Sequence, residues 1–425
     1  MKRLLIINDS FENKISYYLL AGFLVALPFD HFYSEWLLII FCLHTCLYVR
    51  KERLQNVFNK NILIVCSVFL LSVLGIAFSS YRQPGVEDAV QQLALMLLPV
   101  FLTLTNLDLD KYKWPLLELF GITCTVVILY LYFRVYKSNR YFGLPISSVF
   151  SKAFLNQNFT SPVGVHATYF AMYVLLSVCI FLFLYYRNAT PGRSMYLLFT
   201  IILFAGLIQL SSRAPFIAAT IIVMFIIPAF LLQGRSRLTF LLTAAIVSVS
   251  LFLIIDNVHS LKKRYVDDLE NDLSDYQDPG DLTESRLMRW NLEWQLVEKS
   301  PVIGYGTGSE EYILKEKYFD NKFYRSFLLG LNAHNQYLSF LLNTGFVGLV
   351  LYLFILYSAI KVAFKSNDFL LMSFVTALII VSLSENILDV SKGVLFYSFF
   401  FSLFLLTGAR DSLRIVHRNE SSLAT

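Results

Sequence analysis

Residues 195–232 read MYLLFTIILFAGLIQLSSRAPFIAATIIVMFIIPAFLL. Three consecutive polar residues, Ser211, Ser212 and Arg213, interrupt an otherwise apolar run. A single helix of about 38 residues would be about 57 Å long at 1.5 Å per residue, whereas the hydrocarbon core of a bilayer is about 30 Å thick. One crossing cannot use that length. The chain is therefore expected to reverse at Ser211–Arg213 and cross twice, which leaves a guanidinium at a membrane surface.

The same length rule, applied outward, gives twelve apolar runs, at roughly 15–29, 33–49, 61–79, 86–105, 115–134, 163–186, 195–211, 214–232, 238–256, 335–358, 369–386 and 393–409. The 425 residues are 56% hydrophobic and 15% charged, against about 25% charged in soluble domains. That excludes an ordinary soluble enzyme, a disordered chain and a disulfide-rich secreted domain. What fits is an all-α polytopic membrane protein with about twelve transmembrane helices. The five cysteines lie in apolar runs and read as small buried side chains. The first run follows Lys2, Arg3 and Lys14 like a secretion signal but lacks a convincing cleavage site, so it reads as a retained helix.

Basic residues set the orientation. Arg50, Lys51, Arg53 and Lys60 separate the second and third runs, and Arg410, Arg414 and Arg418 follow the last. Both termini are then cytoplasmic. The chain divides into 1–256 (spans one to nine), 257–334 (an outer helical loop subdomain) and 335–425 (spans ten to twelve and a cytoplasmic tail). In the loop, Ser285–Lys299 reads as a helix. Leu287, Trp290, Trp294 and Val297 form an apolar stripe, beside a polar stripe of Arg286, Arg289 and Glu293. Pro301 and the run Gly304–Gly308 end it in a turn.

Charges near lipid are expensive unless they face a cavity or partner. Here they cluster on the outer side. Arg213 opens a helix whose first amides point outward beside its guanidinium, a natural phosphate or diphosphate site; snorkelling to lipid headgroups is the plainer reading. Arg286 and Arg289 share a helix face and offer further guanidiniums, or a surface ion pair with Glu293. His334 sits at the outer mouth of the tenth run, where an imidazole suits proton transfer, and Asn335 and Gln336 are placed to orient it or a sugar. His166, followed by Tyr169 at i+3, is a candidate for the acceptor side, and Arg140 in the segment after the fifth run is a further binding candidate. Glu385, Asp389 and Lys392 read as a salt-bridge group or as ligands of sugar hydroxyls. The aspartates from Asp267 to Asp281 offer a loose divalent-ion site or a solvated acidic face. No spacing reads as a zinc site, and Gly304–Gly308 lacks the Lys-Ser or Lys-Thr of a phosphate loop, so neither metal nor nucleotide is expected.

Taken in order, Ser212-Arg213-Ala214, Ser285-Arg286 with Trp290, then Pro301, Gly304, Gly306 and Gly308, then His334-Asn335-Gln336-Tyr337-Leu338 with Asn343-Thr344-Gly345, form a set that resembles the O-antigen ligase and polymerase superfamily of bacterial inner membranes. The resemblance implies a fold like that of GT-C glycosyltransferases and a periplasmic active site. It implies transfer of a glycan from undecaprenyl diphosphate to a sugar hydroxyl of lipid A core, with no cofactor, metal, nucleotide or nucleic acid. It places the family's essential histidine on His334, its arginines on Arg213 and Arg286, and its tryptophan on Trp290, with Arg289 as an extra contact. A polymerase joining lipid-linked repeat units would use the same donor chemistry. Lys262-Lys263-Arg264-Tyr265 resembles enterobacterial ligases and favours the ligase. A protein glycan ligase or a transporter fits less well, the latter because no repeat or mid-membrane charge cluster is visible.

Overall fold

The computed structural model describes residues 6–187, 192–274 and 284–423, with side chains described to residue 407. Asp275, Asp278 and Asp281 lie outside the described residues, as do Lys2 and Arg3; the side chains of Arg410, Arg414 and Arg418 are likewise not described. Among the described residues there is no strand. The main helices are α1 (Phe11–Ala26), α2 (His31–Tyr48), α3 (Lys60–Phe78), α4 (Arg82–Leu104), α5 (Leu109–Tyr141), α6 (Ala167–Arg187), α7 (Arg193–Leu210), α8 (Arg213–Phe230), α9 (Gly234–Asn257), α10 (Arg286–Val297), α11 (Glu310–Asp320), α12 (Tyr324–Leu329), α13 (Gln336–Ser366), α14 (Phe369–Val381) and α15 (Ser391–Leu423). Each of the twelve apolar runs falls on one of these helices. Eight of them, α3 to α9 and α13, are long and apolar enough to cross a membrane, and Phe369–Val381 and Ser391–Thr407 are shorter apolar helices.

The reversal at Ser211–Arg213 takes two residues. Ser211 caps α7 in the left-handed region (φ 48°), and Ser212 is extended before α8 begins. Asn156 braces this corner: its side-chain amide donates to the carbonyls of Leu210 and Ser211, both at 3.1 Å. Arg264 Nε adds a bond to Ser211 O at 3.2 Å. At the far end of the bundle, Tyr196 at the start of α7 donates to Glu118 (3.1 Å), and Phe230 at the end of α8 lies 5.6 Å from Phe364. The chain thus runs up α7 and returns down α8.

Helix α6 forms the centre. Its apolar window is 89% buried, against 11% for α9, which stands at the periphery with an apolar surface suited to lipid. α6 packs on α5, α7 and α14; α8 lies on α14, α4 on α15, and α3 on α13. Phe374, Phe396, Phe400 and Phe404 form an aromatic seam between α14 and α15. Four of the cysteines are buried as expected; Cys46 is exposed, on the outward face of α2.

The glycine run does more than turn the chain. It wedges between α3–α4 and α13. Tyr305 and Gly306 N–H donate to the carbonyls of Leu342 and Asn343 (2.8 and 2.9 Å), and Thr307 Oγ1 donates to Ser72 O (2.7 Å). Gly308 has φ 84°, and a Cβ there would collide with the backbone of Gly85. Gly345 (φ 66°) breaks α13 into a short segment and a long one, and a Cβ there would strike Val302 O. These close approaches dock the loop 257–334 on the bundle, and only glycine tolerates both the crowding and the positive φ.

Candidate active site

The segments expected on the outer side meet at one end of the bundle. Arg213 at the start of α8 bonds Asp272. The same carboxylate oxygen lies 3.4 Å from Arg286 Nε, and Arg286 Nη1 donates to Ser384 O at 2.8 Å. The neighbouring Glu385 faces His334, with Oε2 3.5 Å from Nδ1. Thr168 Oγ1 donates to the other Glu385 oxygen (3.3 Å), and Ser212 Oγ donates to Thr168 Oγ1 (3.1 Å), which leads back to Arg213. Glu385, Thr168, Ser212, Arg213, Asp272, Arg286 and Ser384 therefore form a closed ring of contacts and peptide links drawn from α6, the start of α8, the outer loop and the segment after α14, and His334, just before α13, joins it through Glu385.

The electrostatics follow from this ring. Burial alone would push the Glu385 carboxyl up, but the contact with His334 and the charges of His334, His166 and Arg286 outweigh it, and Glu385 lies below its ordinary value. It is an anion held against an imidazole. Burial pulls the Arg286 guanidinium down, and Asp272 and Glu385 oppose that pull.

A cavity of about 670 Å³ opens beside the ring, lined by Arg213, Arg289, Asp272, Lys152, Lys263 and Arg264 among others. Arg286 and His334 are not among its walls. Arg289 is only 5% exposed, and its Nε and Nη1 have no hydrogen-bond partner among the described residues. Glu293, on the same buried face of the helix, is fully buried; burial first and Glu310 second push it up to about 8, so at neutral pH it is largely protonated. Arg289 thus brings unused guanidinium donors to a cavity that also holds Arg213, Lys152, Lys263 and Arg264, and that favours an anionic ligand.

Several expectations need correction. Arg286 and Arg289 do not form a surface ion pair with Glu293, which accepts a hydrogen bond from Tyr318 (2.9 Å). The buried face of α10 carries Arg289, Leu292, Glu293 and Leu296, while Trp294 is 46% exposed, so the helix is rotated from the expected stripe. Asn335 and Gln336 are not walls of this cavity: the Asn335 side chain caps α13, and Gln336 Oε1 accepts from Leu388 N–H (2.7 Å). Trp290 donates from its indole to Ala333 O (2.9 Å), directly before His334. Tyr169 is buried and donates to Asn386 O (3.2 Å), which leaves His166, exposed, against its ring. Arg140 is exposed in the last turn of α5, away from the cavity walls. Glu385, Asp389 and Lys392 do not form one group, since Lys392 donates to Leu27 O. Asp268 and Asp272 serve as counter-ions of Arg264 and of Arg213 with Arg286.

Residues 198–353 match the family model described as O-antigen ligase. This segment is an O-antigen ligase family domain. It contains Arg213, Arg286, Arg289, Trp290 and His334, and it ends before Glu385. No curated protein matches the chain. Members of the O-antigen ligase family are glycosyltransferase-like membrane enzymes of ligase or polymerase type whose partners are lipid-linked glycans.

Proposed function

We propose that the protein is an O-antigen ligase of the bacterial inner membrane. It transfers a glycan from undecaprenyl diphosphate to a sugar hydroxyl of lipid A core, on the periplasmic side, with inversion and without a metal. The chain of contacts that runs from His334 through Glu385, Thr168 and Ser212 to Arg213, and from Arg213 through Asp272 to Arg286, supports this reading, because it links a candidate proton acceptor to two guanidiniums. As the glycosidic bond breaks, negative charge grows on the leaving diphosphate. Arg213, Arg286 and Arg289 hold and stabilise it. His334 takes the proton of the attacking hydroxyl. Glu385 on Nδ1 favours the tautomer that leaves Nε2 free to accept it, and it stabilises the imidazolium that results. Direct attack by the acceptor inverts the anomeric centre, so no carboxylate nucleophile is required. An open apolar groove of about 600 Å³ between α10 and α13, walled by Trp290, Trp294, Leu349, Leu353 and Leu383, suits a lipid chain.

The test offers purified protein an undecaprenyl diphosphate-linked glycan together with either lipid A core or a second lipid-linked repeat. Transfer to lipid A core is expected. Chain growth on the second lipid would make the protein a polymerase. Transfer to neither would remove the glycosyltransferase reading.

A further inference from the structure

His334 has φ 45°, in the left-handed region that costs a residue with a Cβ about 1 kcal/mol or more. Something must hold it there. The N–H of His334 donates to Asn332 Oδ1 (3.1 Å), which is local. The two flanking peptides are held from a distance. Ala333 N–H donates to Glu310 Oε1 (3.0 Å), and Asn335 N–H donates to Asn386 Oδ1 (2.7 Å). Asn386 Nδ2 closes the pair by donating to Glu310 Oε1 (3.1 Å). Glu310 Oε2 accepts in turn from Ser339 Oγ and from Asn343 Nδ2 (3.0 Å). Ser339 Oγ also lies 3.0 Å from Asp389 Oδ2. One hydroxyl proton cannot serve two carboxylates, so the second of these contacts is a hydrogen bond only when one of the two carboxyls is protonated and donates to Ser339 Oγ. Burial and their mutual repulsion push Glu310 up, and burial does the same for Asp389. Glu310 and Asn386 do not line the arginine cavity.

We propose that Glu310, together with Asn386, is a positioning residue that clamps the backbone on both sides of His334 and so aims its imidazole at Glu385 and the reacting hydroxyl. This rests on the reading of His334 as the proton acceptor. The clamp depends on hydrogen bonds rather than on charge. A glutamine at 310 keeps an oxygen for Ala333 and Asn386. Its amide meets Ser339 Oγ and, after rotation of the Asn343 amide, Asn343 Oδ1, which is buried and without a partner.

The experiment uses the full chain in detergent, as wild type, Glu310→Ala, Glu310→Gln and Asn386→Ala. Carbethoxylation of His334 by diethyl pyrocarbonate is followed by peptide mass spectrometry, with the exposed His259 as internal standard. kcat and donor KM are measured in parallel. Both alanine variants are expected to speed His334 modification relative to His259 and to lower kcat about 100-fold with donor KM unchanged. Glu310→Gln is expected to stay close to wild type in both. Unchanged His334 reactivity in both alanine variants would overturn the clamp, and so would a glutamine variant as impaired as alanine. The labelling does not depend on turnover. Faster labelling in the alanine variants of a protein that transfers no glycan would uphold the clamp and overturn the proposed reaction instead.

Discussion

Replacement of His334 by alanine is expected to lower glycan transfer by about 10²–10⁴-fold, the usual contribution of a positioned general base. The loss should fall on kcat. The guanidiniums of Arg213 and Arg286 contact Asp272 rather than the imidazole, so donor binding survives. Glu385, deprived of the imidazole, keeps the hydrogen bond that Thr168 Oγ1 donates to it. Steady-state kinetics on purified His334→Ala, with the donor varied at saturating acceptor, separate the two quantities. Transfer at the wild-type rate would end the role of His334 as base; a raised donor KM with kcat preserved would move it to the binding site.

The second large effect is expected at Arg286. Arg286→Ala should reduce kcat/KM by about 10²–10³-fold, as removal of one preorganised donor to a developing anion does. Arg286→Lys should recover little of it. The guanidinium works at two points, with Nε towards Asp272 and Nη1 on Ser384 O, and a single ammonium cannot span both. Full activity of the lysine variant would show that only a charge is needed there. Arg213 and Arg286 share one counter-ion, so the double alanine variant should lose less than the product of the single losses.

The helices were legible in the sequence because each is a local property. A run of about 20 apolar residues declares itself without reference to any other part of the chain. The reversal at Ser211–Arg213 was legible for the same reason. Arg213 and His334 stand out as costly groups at the ends of apolar runs, and Arg286 by its place on the polar stripe of the loop helix. Their partners do not. Arg213 and Asp272 are 59 residues apart, and Glu310 lies 76 residues from Asn386. Such pairings are set by how α8, α11, α13 and α14 pack, and no spacing rule encodes them. Glu385 was noticed, yet Lys392 looked its natural partner by proximity in the chain; the end of α14 turns it towards His334 instead. The face of α10 was misjudged for a related reason. Hydrophobicity puts two tryptophans inside, but Tyr318 offers Glu293 a buried partner, and the helix rotates to take it. The glycine run was visible as a turn, while its function as a wedge depends on Ser79 and Gly85, more than 200 positions earlier.

Asp272 gives the arginine pair an occupant before any substrate arrives. On the proposed function the pair is expected to work as an ion exchanger rather than an empty cradle, since an anion that binds Arg213 and Arg286 has to displace a carboxylate that both guanidiniums already hold. A lone phosphate or sulfate replaces one acceptor group with another and gains little. A bridging diphosphate carries two phosphates and engages both arginines, and Arg289, at once. Asp272→Asn is therefore expected to let inorganic sulfate inhibit transfer at concentrations that leave the wild type unaffected. Equal inhibition of the two proteins would show that the carboxylate has no part in anion choice. Inhibition of the Asp272→Asn variant alone would mean that selection against simple anions rests on a rival built into the chain itself.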